Sequence, residues 1–341
     1  MFQDRKICKR CVMPESKPDI RLNEEGVCNL CLEYEKNKGR QKKQRPPLES
    51  DLTALLKKYR TKGEYDCLVM CSGGKDSTAA LYFMKKRYKL NPLAFTFDNG
   101  FETEEALENA RSASEKLGAD HLLFKTDKMK KMFADAVKRH PEVVLCHLCS
   151  IWYMDLTFRM AERFDIPVIV AGWTRGQSTE RAGVAEYRYG KDRREFTGMG
   201  EATRRFLKEY TRENPGYRDF PKSIEEVIKK ARKRHRTVEI SPHWFLPYSE
   251  EEYTDLITKE LGWKAPENSY PAKSTNCGLN FLSVYNSMKH YGYTHYHVEM
   301  SKMIRAGLMT RDEALESLAI NFDKELLNFW AAKLGHRFEE I

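Results

Sequence analysis

No run of eighteen apolar residues occurs in the 341-residue chain, so a membrane-spanning helix is not expected, and no membrane partner. The opening Met1-Phe-Gln-Asp-Arg-Lys6 has no apolar signal core, which points to a cytoplasmic protein. Two glycine signatures are missing as well. Neither Gly-x-x-x-x-Gly-Lys-[Ser/Thr] nor Gly-x-Gly-x-x-Gly is present, which argues against a mononucleotide P-loop and a dinucleotide fold. Without a secretion signal, the nine cysteines read as metal ligands or catalytic thiols rather than disulfides.

What is there begins with Leu68-Val-Met-Cys-Ser-Gly-Gly-Lys-Asp-Ser77. An apolar run with strand character, Cys67 to Cys71, breaks at paired glycines into a helical pattern carrying Ala79, Ala80, Leu81, Phe83 and Met84. A strand that turns through glycines into a helix N-terminus makes an anion site. Backbone N–H groups can approach a phosphate there, and the helix dipole favours negative charge. Lys75 adds a point charge, and Ser72 and Ser77 add hydroxyls.

From Tyr65 onward strands alternate with helices: strands at 67–71, 92–97, 121–124 and 167–171, helices at 77–88, 104–117, 129–139 and 151–164. That pattern predicts an α/β fold, a doubly wound parallel sheet with ligands at the carboxyl ends of its strands. Ser72–Ser77, Asp98 and Gly172 fall at those ends. Asp98 is a candidate ligand contact, such as to a nucleotide ribose, or a plain turn residue; Arg175 and Arg181 are phosphate contacts or surface arginines. We divide the chain into 1–47, a metal module with a basic linker; 48–180, the core; 181–240, a basic insertion; and 241–341, the end of the core and a helical C-terminal region.

Eight cysteines fall in four tight pairs. Cys8-x-x-Cys11 and Cys28-x-x-Cys31, sixteen residues apart, have the spacing of a tetrahedral Zn²⁺ site whose folding energy comes largely from the metal. Cys67 and Cys71 flank the first strand and read as packed thiols. Cys146-His-Leu-Cys149, before a helix, is a redox dithiol, half of a second zinc site, or two ligands of an iron–sulfur cluster. Cys277 stands alone. Three cysteines would leave one iron of a [4Fe–4S] cluster open to an exogenous sulfide.

A net charge of +9 suits ATP and a second acidic partner such as RNA or a sugar nucleotide. The insertion carries Arg193, Arg194, Arg204, Arg205, Arg232, Lys233 and Arg234 among Tyr187, Tyr189, Phe196, Phe206, Tyr210, Tyr217 and Phe220. Basic residues interleaved with aromatics bind nucleic acid, or they form amphipathic helices that shape a site, the reading we favour. His290, His295 and His297 lack the carboxylates of a metal site and read as satisfied or surface histidines.

Ser72 to Ser77 resemble the signature loop of the PP-loop ATP pyrophosphatase superfamily. That resemblance implies ATP with Mg²⁺, adenylation of a substrate oxygen, and release of pyrophosphate, with Lys75 and Asp76 in the catalytic loop. Cys146, Cys149, Cys277 and the Ser241-Pro-His-Trp-Phe-Leu-Pro247 stretch resemble the iron–sulfur-dependent tRNA thiolation branch, which implies a tRNA base or small carbonyl compound as acceptor and a sulfur donor. Gly172 matches that branch's Gly-His-Asn-x-x-Asp segment, but the chain reads Gly172-Trp-Thr-Arg-Gly-Gln there and lacks its His, Asn and Asp. Arg10-Cys-Val-Met-Pro14, Asn23-Glu-Glu-Gly-Val-Cys28 and Met303 to Ala314 resemble instead the N-acetyl sugar amidotransferases, which implies ammonia from a partner glutaminase. A homodimer is compatible with either reading. The thiol trio favours thiolation, since ammonia chemistry gives no reason for it.

Overall fold

The computed structural model describes residues 5–41, 47–60, 62–174, 178–181, 184–187, 197–271 and 277–341. Two helices come first, α1 (Asn29–Gln41) and α2 (Glu49–Tyr59). The core then runs β1 (Cys67–Met70), α3 (Lys75–Tyr82, continued by a π turn over Phe83–Arg87), β2 (Pro92–Asp98), α4 (Glu104–Leu117), β3 (Asp120–Lys125), α5 (Lys130–Arg139), α6 (Leu145–Arg163) and β4 (Val168–Val170). A small antiparallel hairpin, β5 (Ser178–Arg181) and β6 (Val184–Tyr187), leads to α7 (Thr197–Glu213) and α8 (Ile224–Arg234). The chain closes with β7 (Val238–Ile240), α9 (Glu250–Leu261), α10 (Leu279–Tyr291), α11 (His295–Arg305), α12 (Arg311–Leu318) and α13 (Lys324–Lys333).

The sheet is wholly parallel, in the order β3-β2-β1-β4-β7. Every residue of β1, β2, β4 and β7 is buried, as a sheet covered on both faces requires. Side chains alternate between two cores. Leu68, Met70, Phe95 and Ile169 face α5, α6 and α10, while Cys67, Val69, Ala94 and Val170 face α2, α3, α4 and α9. Each Leu, Ile, Val, Met or Phe among them fully withdrawn from water contributes about 1.5–3 kcal/mol. Cys67 and Cys71 belong to the second core, and burial pushes the Cys71 thiol up to about 11. They are packed thiols, as expected.

Three expectations need adjusting. The stretch read as a linker from Lys36 is helical as far as Gln41. The helix expected from Ile151 begins at Leu145, because Leu145, Leu148, Ile151 and Trp152 already share one buried stripe, so Cys146 and Cys149 sit inside its first turns. The insertion contributes to the core: Phe206, Tyr210 and Phe220 are buried, and Phe220 stacks on Trp152 with centroids 4.9 Å apart. Those rings are therefore closed to base stacking. Arg175, Tyr189, Arg193, Arg194 and Phe196 lie outside the described residues.

Candidate active site

Strand order reverses between β1 and β4, and in an open parallel sheet the crevice beyond such a point receives the ligand. Ser72–Ser77 leaves β1 there, and Gly172 leaves β4 there. Gly73 takes a left-handed φ of +78°, and a Cβ on it would lie 1.8 Å from the Ala106 carbonyl oxygen. A Cβ on Gly172 would lie 2.5 Å from the Ser77 nitrogen, so only glycine lets the segment after β4 press against the start of α3. Ser77 Oγ accepts from the Ser72 N–H at 3.1 Å and donates to the Gly74 carbonyl at 3.1 Å. The loop is thus closed on itself with Gly74 as the residue before the helix.

Lys75 is buried, 3.3 Å from Asp76 and 3.5 Å from Glu250. Burial works against its charge, but Asp76, Glu250 and Glu299 outweigh that penalty and raise its pKa, so it is a fixed cation. Sequence reasoning missed what braces this loop. The Tyr253 hydroxyl donates to Asp76 in a short contact. His243 Nε2, kept neutral by burial, donates to the Asp76 carbonyl at 2.8 Å. Trp263 Nε1 donates to the Gly73 carbonyl at 2.9 Å. Thr174 donates to Glu299 of α11 at 2.9 Å, bringing the C-terminal helices to the rim of the crevice. The Ser241–Pro247 motif gave a signal for His243; Tyr253, Trp263 and Glu299 had none.

Asp98, at the end of β2, is buried with Lys125 3.0 Å from one oxygen and the Gly100 N–H 2.7 Å from the other. In this structure it closes a turn.

Cys277, alone in the sequence, is stitched to the β2–α4 turn. Its neighbour Gly278 donates to the Phe101 carbonyl at 2.8 Å, and Cys277 forms an antiparallel bridge with Glu102. The Asn99 amide nitrogen lies 3.2 Å from Cys149 Sγ and 3.7 Å from Cys277 Sγ. Cys146, one turn before Cys149, contacts Asn280 Oδ1 at 3.6 Å. All three cysteines are half-buried as residues. Burial pushes Cys146 up to about 11 and raises Cys149 and Cys277 further. Desolvation, then Asp98, also raises Glu102 well above the carboxylate range. Among the described residues, the three sulfurs are not all within the 4.8 Å that marks the N-terminal four-cysteine group. Three thiols brought together from α6 and the residue before Gly278 are a donor set that fits iron or zinc.

The N-terminal group is the opposite case. Cys8, Cys11, Cys28 and Cys31 are buried with all sulfurs within 4.8 Å. Backbone N–H groups of Arg10 and Cys28 point at Cys8 Sγ, at 3.4 and 3.2 Å, and that of Cys31 at Cys28 Sγ, at 3.4 Å. The contact with Cys11 pulls the Cys8 thiol below its usual range and pushes Cys28 and Cys31 above it. Four thiols this close can all ionise only with a cation between them, so the set fits a metal ion. His290, His295 and His297 form no such group: His297 Nδ1 accepts from the Thr294 N–H at 3.2 Å, at the start of α11.

Residues 66–147 match the family described as queuosine biosynthesis protein QueC. An uncharacterized protein of Methanocaldococcus jannaschii is 25% identical over 313 residues, covering 91% of this chain and 92% of its own. Among solved structures, the U34-tRNA thiolase NcsA of Methanococcus maripaludis, with its [4Fe-4S] cluster, is 15% identical. It covers 90% of this chain and 87% of its own with a TM-score of 0.36. NMN synthetase of Francisella tularensis is 13% identical over 80% of this chain and 87% of its own, TM-score 0.38.

Proposed function

We propose that this chain is a PP-loop ATP pyrophosphatase and, more narrowly, an adenylating sulfurtransferase; its Ser72–Ser77 loop and the match of residues 66–147 to the queuosine biosynthesis family support the first step of that reading. The observation that carries this reading is the meeting of Cys277 with Cys149 at Asn99, one helical turn from Cys146. ATP enters as its Mg²⁺ complex over the loop. A carbonyl oxygen of the acceptor attacks the α-phosphorus, the bond to pyrophosphate breaks, and Lys75 with the loop N–H groups takes the charge that develops. Hydrosulfide then attacks the activated carbon, the C–O bond to AMP breaks, and a proton leaves to solvent. No electrons are exchanged. A [4Fe–4S] cluster on Cys146, Cys149 and Cys277 would supply an iron open to that sulfide. We assign the closed Cys8, Cys11, Cys28 and Cys31 set to structural Zn²⁺. The charge of +9 favours tRNA over a small carbonyl compound as acceptor.

One observation favours the amidotransferase as a second reading. Arg311 Nε donates to the carbonyls of Cys8 and Cys11, both at 3.2 Å, so two of the three stretches that resemble sugar amidotransferases pack together. The test is anaerobic turnover with ATP and either sulfide or ammonium, following pyrophosphate and the masses of tRNA bases and acetamido sugars. A thiolated base, absent with Cys277→Ala while the variant still binds ATP, is the expected result. Full turnover of Cys277→Ala, or an amidine product with ammonium, overturns it.

A further inference from the structure

Asn99 is absent from the loop, from the thiol trio and from every motif in the sequence, yet its side chain is almost wholly buried between two of the three thiols. Its carbonyl oxygen accepts from the Phe101 N–H at 2.8 Å. That bond fixes which way the amide faces, because only the oxygen can serve an N–H donor. The nitrogen is left to face Cys149 Sγ at 3.2 Å and Cys277 Sγ at 3.7 Å. An amide carries two hydrogens, enough for both sulfurs, and Cys277 Sγ also lies 3.9 Å from the Asn99 oxygen. The two thiols come from elements far apart in sequence, the first turns of α6 and the residue before Gly278, and the Asn99 side chain touches both.

We infer that Asn99 is a positioning residue of the cysteine trio. It holds Cys149 and Cys277 at cluster spacing and donates N–H···S bonds to both ligating sulfurs. This inference rests on the proposed cluster. Such outer contacts orient metal ligands, and hydrogen bonds to cluster sulfurs stabilise the more negative, reduced state. The neighbouring Asp98 has a different task, closing the turn through Gly100.

The experiment compares the full chain, wild type and Asn99→Asp, after anaerobic reconstitution with iron and sulfide. Aspartate keeps the acceptor for Phe101 and replaces the amide donors with a second, negatively charged oxygen. Expected are a full iron complement in both proteins, a more negative cluster reduction potential in the variant, and cluster loss to a chelator about 10-fold faster or more. Asn99→Ser, whose hydroxyl also closes such turns, should show the same shift without an added charge, and it carries the test if the aspartate variant fails to fold. Unchanged potential and unchanged chelator resistance in loaded variants overturn the role of Asn99 alone. A wild type that assembles no cluster overturns the sulfurtransferase reading and this inference with it.

Discussion

At the scale of single residues, the nucleotide loop depends on two missing side chains and one buried cation. Gly172→Ala would place a methyl 2.5 Å from the Ser77 nitrogen. Overpacking of that kind costs about 1–3 kcal/mol, and it falls on the loop itself. Denaturant melts should show that loss, and nucleotide titration should show weakened ATP binding. Lys75→Ala removes a fixed charge from the reacting phosphates, and pyrophosphate release should drop about 10²–10³-fold. His297 governs a separate property. Burial holds its pKa at about 4, below its ordinary 6.5, so the unfolded chain takes up a proton that the native one refuses. Stability is full above about pH 6.5 and is lost as pH falls towards 4, by up to about 3 kcal/mol. In His297→Gln, whose side chain can still accept from the Thr294 N–H, denaturation midpoints at about pH 7 and pH 4.5 should differ less than in the wild type.

At the scale of elements, α9 and the residues on either side of it act as a brace across the start of α3. Tyr253, His243 and Trp263 each bond a different group of the loop. Losing the Tyr253 hydroxyl leaves a charged acceptor short of a donor, worth about 1.5–3 kcal/mol. Tyr253→Phe should therefore lower the urea midpoint while the trio's cluster spectrum is unaffected. The pairing of α10 with the β2–α4 turn is the second such device. It delivers Cys277, and it could not be read from periodicity: a lone cysteine gives no spacing to measure, and its partner lies more than a hundred residues away. The boundaries of α6 were misplaced for a related reason. Cys146-His-Leu-Cys149 looked like a motif ahead of a helix, when the apolar stripe of that helix already included Leu145 and Leu148.

At the scale of the whole molecule, the four-cysteine module is built into the protein. Its core is shared with Val144 beside the thiol pair, with Met199 of α7, and with Tyr293 and Val298 of the C-terminal region. Arg311 ties α12 to the carbonyls of Cys8 and Cys11. Cys8→Ser should abolish one metal equivalent per chain by elemental analysis. It should also lower the melting temperature of the full chain, because a metal held there would supply folding energy and the module covers surface on distant helices. Independent melting of the module, with the remainder unchanged, would contradict this arrangement. Among the described residues no helix is long and apolar enough to cross a membrane.

Local chemistry settled much in advance. The alternation of buried strands with helices, the turn through Gly73 and Gly74 and the four-thiol spacing each follow from residues close together in the chain, where backbone geometry and side-chain period decide the outcome. Packing decided the rest. That Asn99 stands between Cys149 and Cys277, that Tyr253 holds Asp76, and that Glu299 reaches the rim of the crevice all depend on how helices from the last third of the chain settle on the sheet. Contacts of that kind are fixed by the summed burial of many side chains over large separations, and no short window of sequence contains that sum.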